Sequence, residues 1–159
     1  MIAGCLAGHF FAGKLKKRVE QIADLQLFLS EAERRIAFSA PPTDQLIRSL
    51  CEDSRFATLL LASEYQKLRQ KNLPPGDALA EAVRIQKGIS LRPEDLRLFS
   101  DAAKQLGTTD LNGQLSLCRE YRMRLEENRI LAEKERDRSA RLYQTLGLLC
   151  GAGAGIILV

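Results

Sequence analysis

The stretch LYQTLGLLCGAGAGIILV, residues 142–159, carries no charged side chain. As a helix rising about 1.5 Å per residue it is roughly 27 Å long, close to the hydrocarbon core of a bilayer at about 30 Å. We therefore read it as a transmembrane helix. Gly147, Gly151 and Gly155 recur every fourth residue and share one helix face, the small-xxx-small spacing that lets another helix backbone approach closely. Glycine at that density weakens a helix in water, which disfavours the same stretch as a packed globular end.

The other apolar end is MIAGCLAGHFFAG, residues 1–13. Its first twelve residues span only about 18 Å as a helix, too short to cross unaided. Either a turn or two precedes this start, or the segment is partly embedded. Gly4, Gly8 and Ala12 repeat the small-xxx-small spacing, so the two ends can pack as a hairpin. Positive charge follows the apolar run instead of preceding it, which does not fit a signal peptide. His9, the single histidine, has no second metal-binding side chain nearby and reads as a headgroup-level or packed imidazole.

Between these ends, residues 14–141 form one charged domain. The net charge of +4 and a pI near 9.0 suit anionic lipid or nucleic acid, but acidic residues are interleaved with the basic ones and no broad nucleic-acid stripe forms. Lys14, Lys16, Lys17 and Arg18 follow the first apolar run, while Arg136, Arg138 and Arg141 precede the last. The positive-inside bias then puts the domain in the cytoplasm. Cys5, Cys51, Cys118 and Cys150 show no short pair spacing, as expected of a reducing compartment with neither a disulfide framework nor a zinc site.

The periodicity inside the domain is helical throughout, and no run alternates for long enough to read as a strand. Residues 14–38 place Leu15, Val19, Ile22, Leu25, Leu29, Ala32 and Ile36 on one apolar face, with Glu20, Asp24, Glu31, Arg34 and Arg35 on the solvated side. Pro41 and Pro42 end that helix. Thr43 can cap a second, with Leu46, Ile47, Leu50 and Cys51 inward. A third is expected over 56–68, with Phe56, Leu59, Leu60 and Leu68 in the core and Tyr65 at the edge. A fourth runs over 77–87 with Leu79, Ala82, Val83 and Gln86 on one side and Gly88 as its stop. A fifth opens at Pro93-Glu94-Asp95, where proline suits the first turn and the acids suit the helix dipole, with Leu96, Phe99, Ala103 and Leu106 inward.

Gly107 is placed to close that fifth helix, and Thr109 or Asp110 to cap the sixth. The sixth carries Leu111, Leu115, Cys118, Leu125 and Ala132 as its stripe. From 126 to 141 it offers little apolar surface and reads as a solvated stalk with pairs such as Glu126 and Arg129, leading into the tail. The expectation is an all-α, compact bundle of about six helices with a C-terminal transmembrane helix. Gly107, Asp110 and Gln114 are the candidate site residues, as partner contact or helix cap. The arginines at 119, 122, 124, 129, 136, 138 and 141 read as a solvated face and topology signal.

The order of short motifs carries a resemblance. Leu106-Gly107-x-x-Asp110, Gln114, the Ala132-Glu133 step, and Arg141-x-Tyr143-x-x-Leu146-Gly147 running into an apolar tail look like the stage III sporulation protein AB family. The proline-interrupted first loop and the Pro93-Glu94-Asp95 start agree with it. That resemblance implies a subunit of the stage III sporulation A complex in the mother-cell membrane around the forespore, with a cytosolic part similar to the helical bundle of type II secretion and type IV pilus platform proteins. It implies, as partners, a motor ATPase like stage III sporulation protein AA and other membrane subunits of the complex, with self-association left open. The family's first membrane span is represented here only by the short apolar run.

No G-x-x-x-x-G-K-[ST] or H-E-x-x-H occurs, and no serine or cysteine has a histidine available outside the apolar terminus, so nucleotide hydrolysis is excluded and no catalytic, cofactor or metal residue is assigned. The competing readings are an autonomous tail-anchored coiled-coil adaptor and a membrane-tethered nucleic-acid module.

Overall fold

The computed structural model describes the backbone of residues 2–59, 61–86 and 88–157 and the side chains of residues 13–56, 59, 61–86, 88–139, 141 and 142. The glycine faces expected at Gly4, Gly8 and Ala12 and at Gly147, Gly151 and Gly155 lie outside the described side chains, as do Leu60 and Lys87.

The described residues are all-α. Six helices follow in order: α1 (Ile2–Ser39), α2 (Thr43–Cys51), α3 (Leu61–Gln70), α4 (Pro75–Ile85), α5 (Pro93–Gln105) and α6 (Leu111–Ile157). A 3₁₀ segment, Ser54–Leu59, joins α2 to α3. The two long helices, α1 and α6, form the largest interface; α2 packs on α1 and α5 on α6, while α3 and α4 pack chiefly on the other short helices. Their pairing is antiparallel, because Arg18 meets Glu135, Gln26 meets Glu126, and Glu33 meets Arg119. Residues 13 and 142 therefore leave the packed body at the same end.

The apolar period of α1 decides its buried face. Val19, Ile22, Leu25, Leu29, Ala32 and Ile36 are buried, Leu15 only partly. Phe28, which the three-and-four spacing passed over, is also fully buried. Its ring lies 5.3 Å from Phe56 and 5.5 Å from Phe99, in the tilted and edge-on arrangements that aromatic quadrupoles favour. One side chain thus joins α1 to the 3₁₀ segment and to α5.

Several boundaries differ from the periodic reading. The helix expected over 56–68 is two pieces, because the Asp53 carboxylate accepts the Arg55 backbone N–H at 3.1 Å and the Phe56 N–H bonds the Asp53 carbonyl at 2.9 Å. That local turn starts a 3₁₀ segment, in which residues three apart eclipse, so Phe56 and Leu59 point inward together. Helix α4 begins at Pro75, two residues early, since proline at the first position loses no needed N–H. It ends at Ile85, before Gly88. Gln21 of α1 explains the early end: its amide donates to the Gly88 carbonyl and accepts the Ser90 N–H, tying the loop to α1. Gly88 does have a positive φ of 82°, but inside the loop.

Burial also corrects three side chains. Tyr65 is in the core instead of at the edge, made tolerable by its hydroxyl donating to Asp44 at 2.9 Å. Glu31 is buried instead of solvated, and Leu111 is 45% exposed instead of buried. Ala132, expected on the stripe of the sixth helix, is buried.

Helices α4 and α5 approach closely at Gly76, where an added Cβ would stand 2.4 Å from the Ala103 carbonyl oxygen and 2.9 Å from the Lys104 Cα. Both are backbone atoms and cannot swing aside. Gly76→Ala is expected to destabilise the fold by about 1–3 kcal/mol through forced helix separation. A denaturant midpoint for the full chain in mild detergent that matches the parent would refute this account.

Candidate functional site

The turn between α5 and α6 brings the three sequence-predicted residues together. Gly107 takes the left-handed conformation at φ 82°, and an added Cβ would sit 2.0 Å from Thr43 Oγ1. Only glycine meets both demands, the positive φ and the close contact with the first residue of α2. Thr108 closes the turn, its backbone N–H and its hydroxyl both donating to the Gln105 carbonyl.

Asp110 is the residue before α6, and its Oδ1 accepts the Gly113 N–H at 3.0 Å. Such a bond satisfies one of the unpaired donors at a helix start. Thr109 does not make it. The cap also depends on Gly113, whose Cβ would fall 2.8 Å from both Asp110 Oδ1 and Thr109 Oγ1. Gln114 folds back so that its amide donates to the Thr109 carbonyl at 3.1 Å. Gly107, Asp110 and Gln114 thus each hold the turn, and the surface they leave outward consists of Thr108, Thr109, Leu111 and Asn112.

At the other end of the α1–α6 pair lies a site that periodicity missed. Arg18 and Asp95 are only 3% and 0% exposed. The Arg18 guanidinium donates through Nε to Asp95 Oδ2 at 2.8 Å and through Nη2 to Oδ1 at 3.1 Å. Asp95 also accepts the Arg92 N–H at 2.9 Å and the Asn128 amide at 2.8 Å. A carboxylate offers about four acceptor positions, and here all are used. One pair therefore ties α1, α5 and α6. Burial opposes the charge on Arg18, but the hydrogen bond and charge of Asp95 outweigh it and raise the pKa further. The flank reading grouped Arg18 with Lys14, Lys16 and Lys17, and the dipole reading placed Asp95 at a helix start. Neither signal carried partner information, because the two residues are far apart in the chain.

Two further networks fix the short elements, one joining the α2 region to α1 and the other joining α2 to α3. Glu31 accepts from Arg34 at 2.6 Å and Arg35 at 3.0 Å and lies 3.2 Å from Arg55. The hydrogen bond from Arg34 leads in holding its carboxyl far below the usual range against the cost of burial. Asp53 is bound by the same Arg35 and Arg55, and the Arg55 hydrogen bonds bring its pKa to about 2. Asp44 receives Tyr65, Arg69 and Arg48, while Arg69 also donates to the Leu73 carbonyl.

The chemistry available is limited. Burial pushes the Cys51 thiol up to about 12 and the Cys118 thiol to about 11, so neither is a ready nucleophile. Among the described residues, no three His, Cys, Asp or Glu side chains gather to hold a metal ion. Also among the described residues, no helix is long and apolar enough to cross a membrane, and 143–159 lie outside the described side chains.

Arg18→Met leaves the Asp95 charge buried without its partner and is expected to cost about 3–5 kcal/mol, while adding Asp95→Asn restores a large part. A double-mutant cycle by denaturant titration measures this, and strict additivity would refute the coupling. Asp110→Ala is expected to cost about 1 kcal/mol in the same assay, the value of a cap.

The family model described as stage III sporulation protein AB matches residues 1–159. No curated protein and no solved structure matches the chain. Covered from end to end by that one model, this all-α chain belongs to the stage III sporulation protein AB family, whose members serve stage III of sporulation.

Proposed function

We propose that this chain is a non-enzymatic platform subunit of the stage III sporulation A complex, held in the mother-cell membrane around the forespore. Its body faces the cytoplasm and couples a motor ATPase like stage III sporulation protein AA to the membrane assembly. The carrying observation is the antiparallel α1–α6 pair, which sends both apolar ends out at one end of the body and presents the α5–α6 turn at the other. The uncharged tail over 142–159 is the anchor, and Gly147, Gly151 and Gly155 are its packing face. Lys14, Lys16 and Lys17 on one side and Arg136, Arg138 and Arg141 on the other supply the cytoplasmic bias.

Motor contact falls to the turn at Gly107, Asp110 and Gln114, through its outward Thr108, Thr109 and Leu111. Helix α6 runs from that turn to the tail without a break, so displacement at the turn is transmitted along one rigid element.

The adaptor reading expects a first helix that self-associates without a fixed bundle, whereas the apolar face of α1 is spent against its own chain. The nucleic-acid reading expects unpaired basic surface, whereas Arg119, Arg122, Arg124, Arg129 and Arg136 all have acidic partners within 4 Å. Both observations favour the platform.

Purification of the full chain from sporulating cells in mild detergent is expected to bring a cytoplasmic ATPase with it, and Asp110→Ala protein that folds normally is expected to lose it. Absence of any ATPase, or accumulation of the chain during vegetative growth, would overturn the assignment.

A further inference from the structure

We propose that Arg18, Lys134 and Arg138 form a binding site for the phosphate of an anionic lipid headgroup, at the end of the bundle from which residues 13 and 142 emerge. This rests on the membrane reading above and adds a ligand to it.

A cavity of about 340 Å³ lies between α1, α6 and the start of α5, lined by Arg18, Arg92, Leu131, Lys134, Glu135 and Arg138 among others. A second, of about 360 Å³, shares Lys134 and Arg138 and continues to Arg141 and Leu142. Arg18 is held by Asp95 through two of its nitrogens. Its third, Nη1, is buried and makes no hydrogen bond. Glu135 Oε2 lies 3.5 Å from it as an ion pair that makes no hydrogen bond, while the same oxygen accepts from Arg92 at 2.7 Å. A buried guanidinium N–H without an acceptor is costly, and a phosphate oxygen is the acceptor its fork geometry suits.

Lys134 and Arg138 stand four residues apart on α6, and neither forms an ion pair with a described residue. Like charges at that spacing repel, so the helix bears a local cost that an anion removes. Leu131 and Leu142 flank them on the same helical stripe and are 57% and 56% exposed. From the body toward the tail, Lys134 and Arg138 come before Leu142, the order in which headgroup and then acyl chain are met along a helix approaching a bilayer. That order favours a lipid over a soluble phosphate, which would have no use for the leucines.

The test uses the full chain in neutral detergent micelles, titrated separately with short-chain phosphatidylglycerol, short-chain phosphatidylcholine and glycerol phosphate, with binding followed by phosphorus NMR. Phosphatidylglycerol is expected to bind saturably, at least about tenfold more tightly than phosphatidylcholine from roughly fivefold per basic residue, and more tightly than glycerol phosphate, which has no acyl chain to set against Leu142. The exposed double variant Lys134→Gln with Arg138→Gln should lose that preference while keeping the parent unfolding midpoint. Equal binding of glycerol phosphate would overturn the lipid assignment. Unchanged binding by the variant, or an equal loss in Arg119→Gln with Arg124→Gln at the distal end, would overturn the site. Flotation with phosphatidylcholine vesicles separates the two readings: a chain that floats without preferring phosphatidylglycerol loses only this site, and one that never floats loses the anchor.

Discussion

A guanidinium and a carboxylate removed from water, Arg18 and Asp95, impose the strictest geometric condition in this fold. Each ion surrenders hydration worth several kcal/mol, and their mutual attraction offsets that only when the remaining donors and acceptors are also met. Asp95 meets the condition by drawing on three elements: the guanidinium of α1, the N–H at the start of its own helix, and the Asn128 amide of α6. A slip of one turn in any of these helices strands a charge. Apolar contacts alone tolerate such slips far better, so the pair acts as a register device in a body otherwise held by interchangeable aliphatic surface.

The same device recurs where the 3₁₀ segment meets α1 and where α2 meets α3. Glu31 gathers three arginines from α1 and the 3₁₀ segment, and Asp44 gathers a tyrosine and two arginines from α2 and α3. Between these charged joints the core is carried by Phe28 with its two aromatic neighbours and by the close approach at Gly76. The short elements are thus fixed to one another and to a two-helix spine at several points, which makes the body stiff. Such rigidity alone does not make a switch, since coupling in that sense needs two discrete arrangements.

The spine also orders the chemistry of the surface. Most arginines of α6 find acids on α1 or on their own helix, so the nominal excess of positive charge is largely neutralised over the distal part. Lys134 and Arg138 are left at the opposite end, beside the apolar tail. Charge is therefore sorted along the long axis although it is mixed along the sequence.

Period and punctuation were enough for the helical class, for the inward positions of α2, and for the turn at Gly107 and Asp110, because capping and amphipathic faces depend on residues within a few places of one another. They also carried the family, through motifs whose order needs no coordinates. Contacts across the chain were not available that way. Gln21 shortening α4, Tyr65 entering the core on the strength of Asp44, and Arg18 leaving the basic flank for Asp95 each require a partner brought near only by folding. Local sequence specifies what a helix offers, and the energy of burying a polar group is settled by whichever distant side chain arrives to satisfy it.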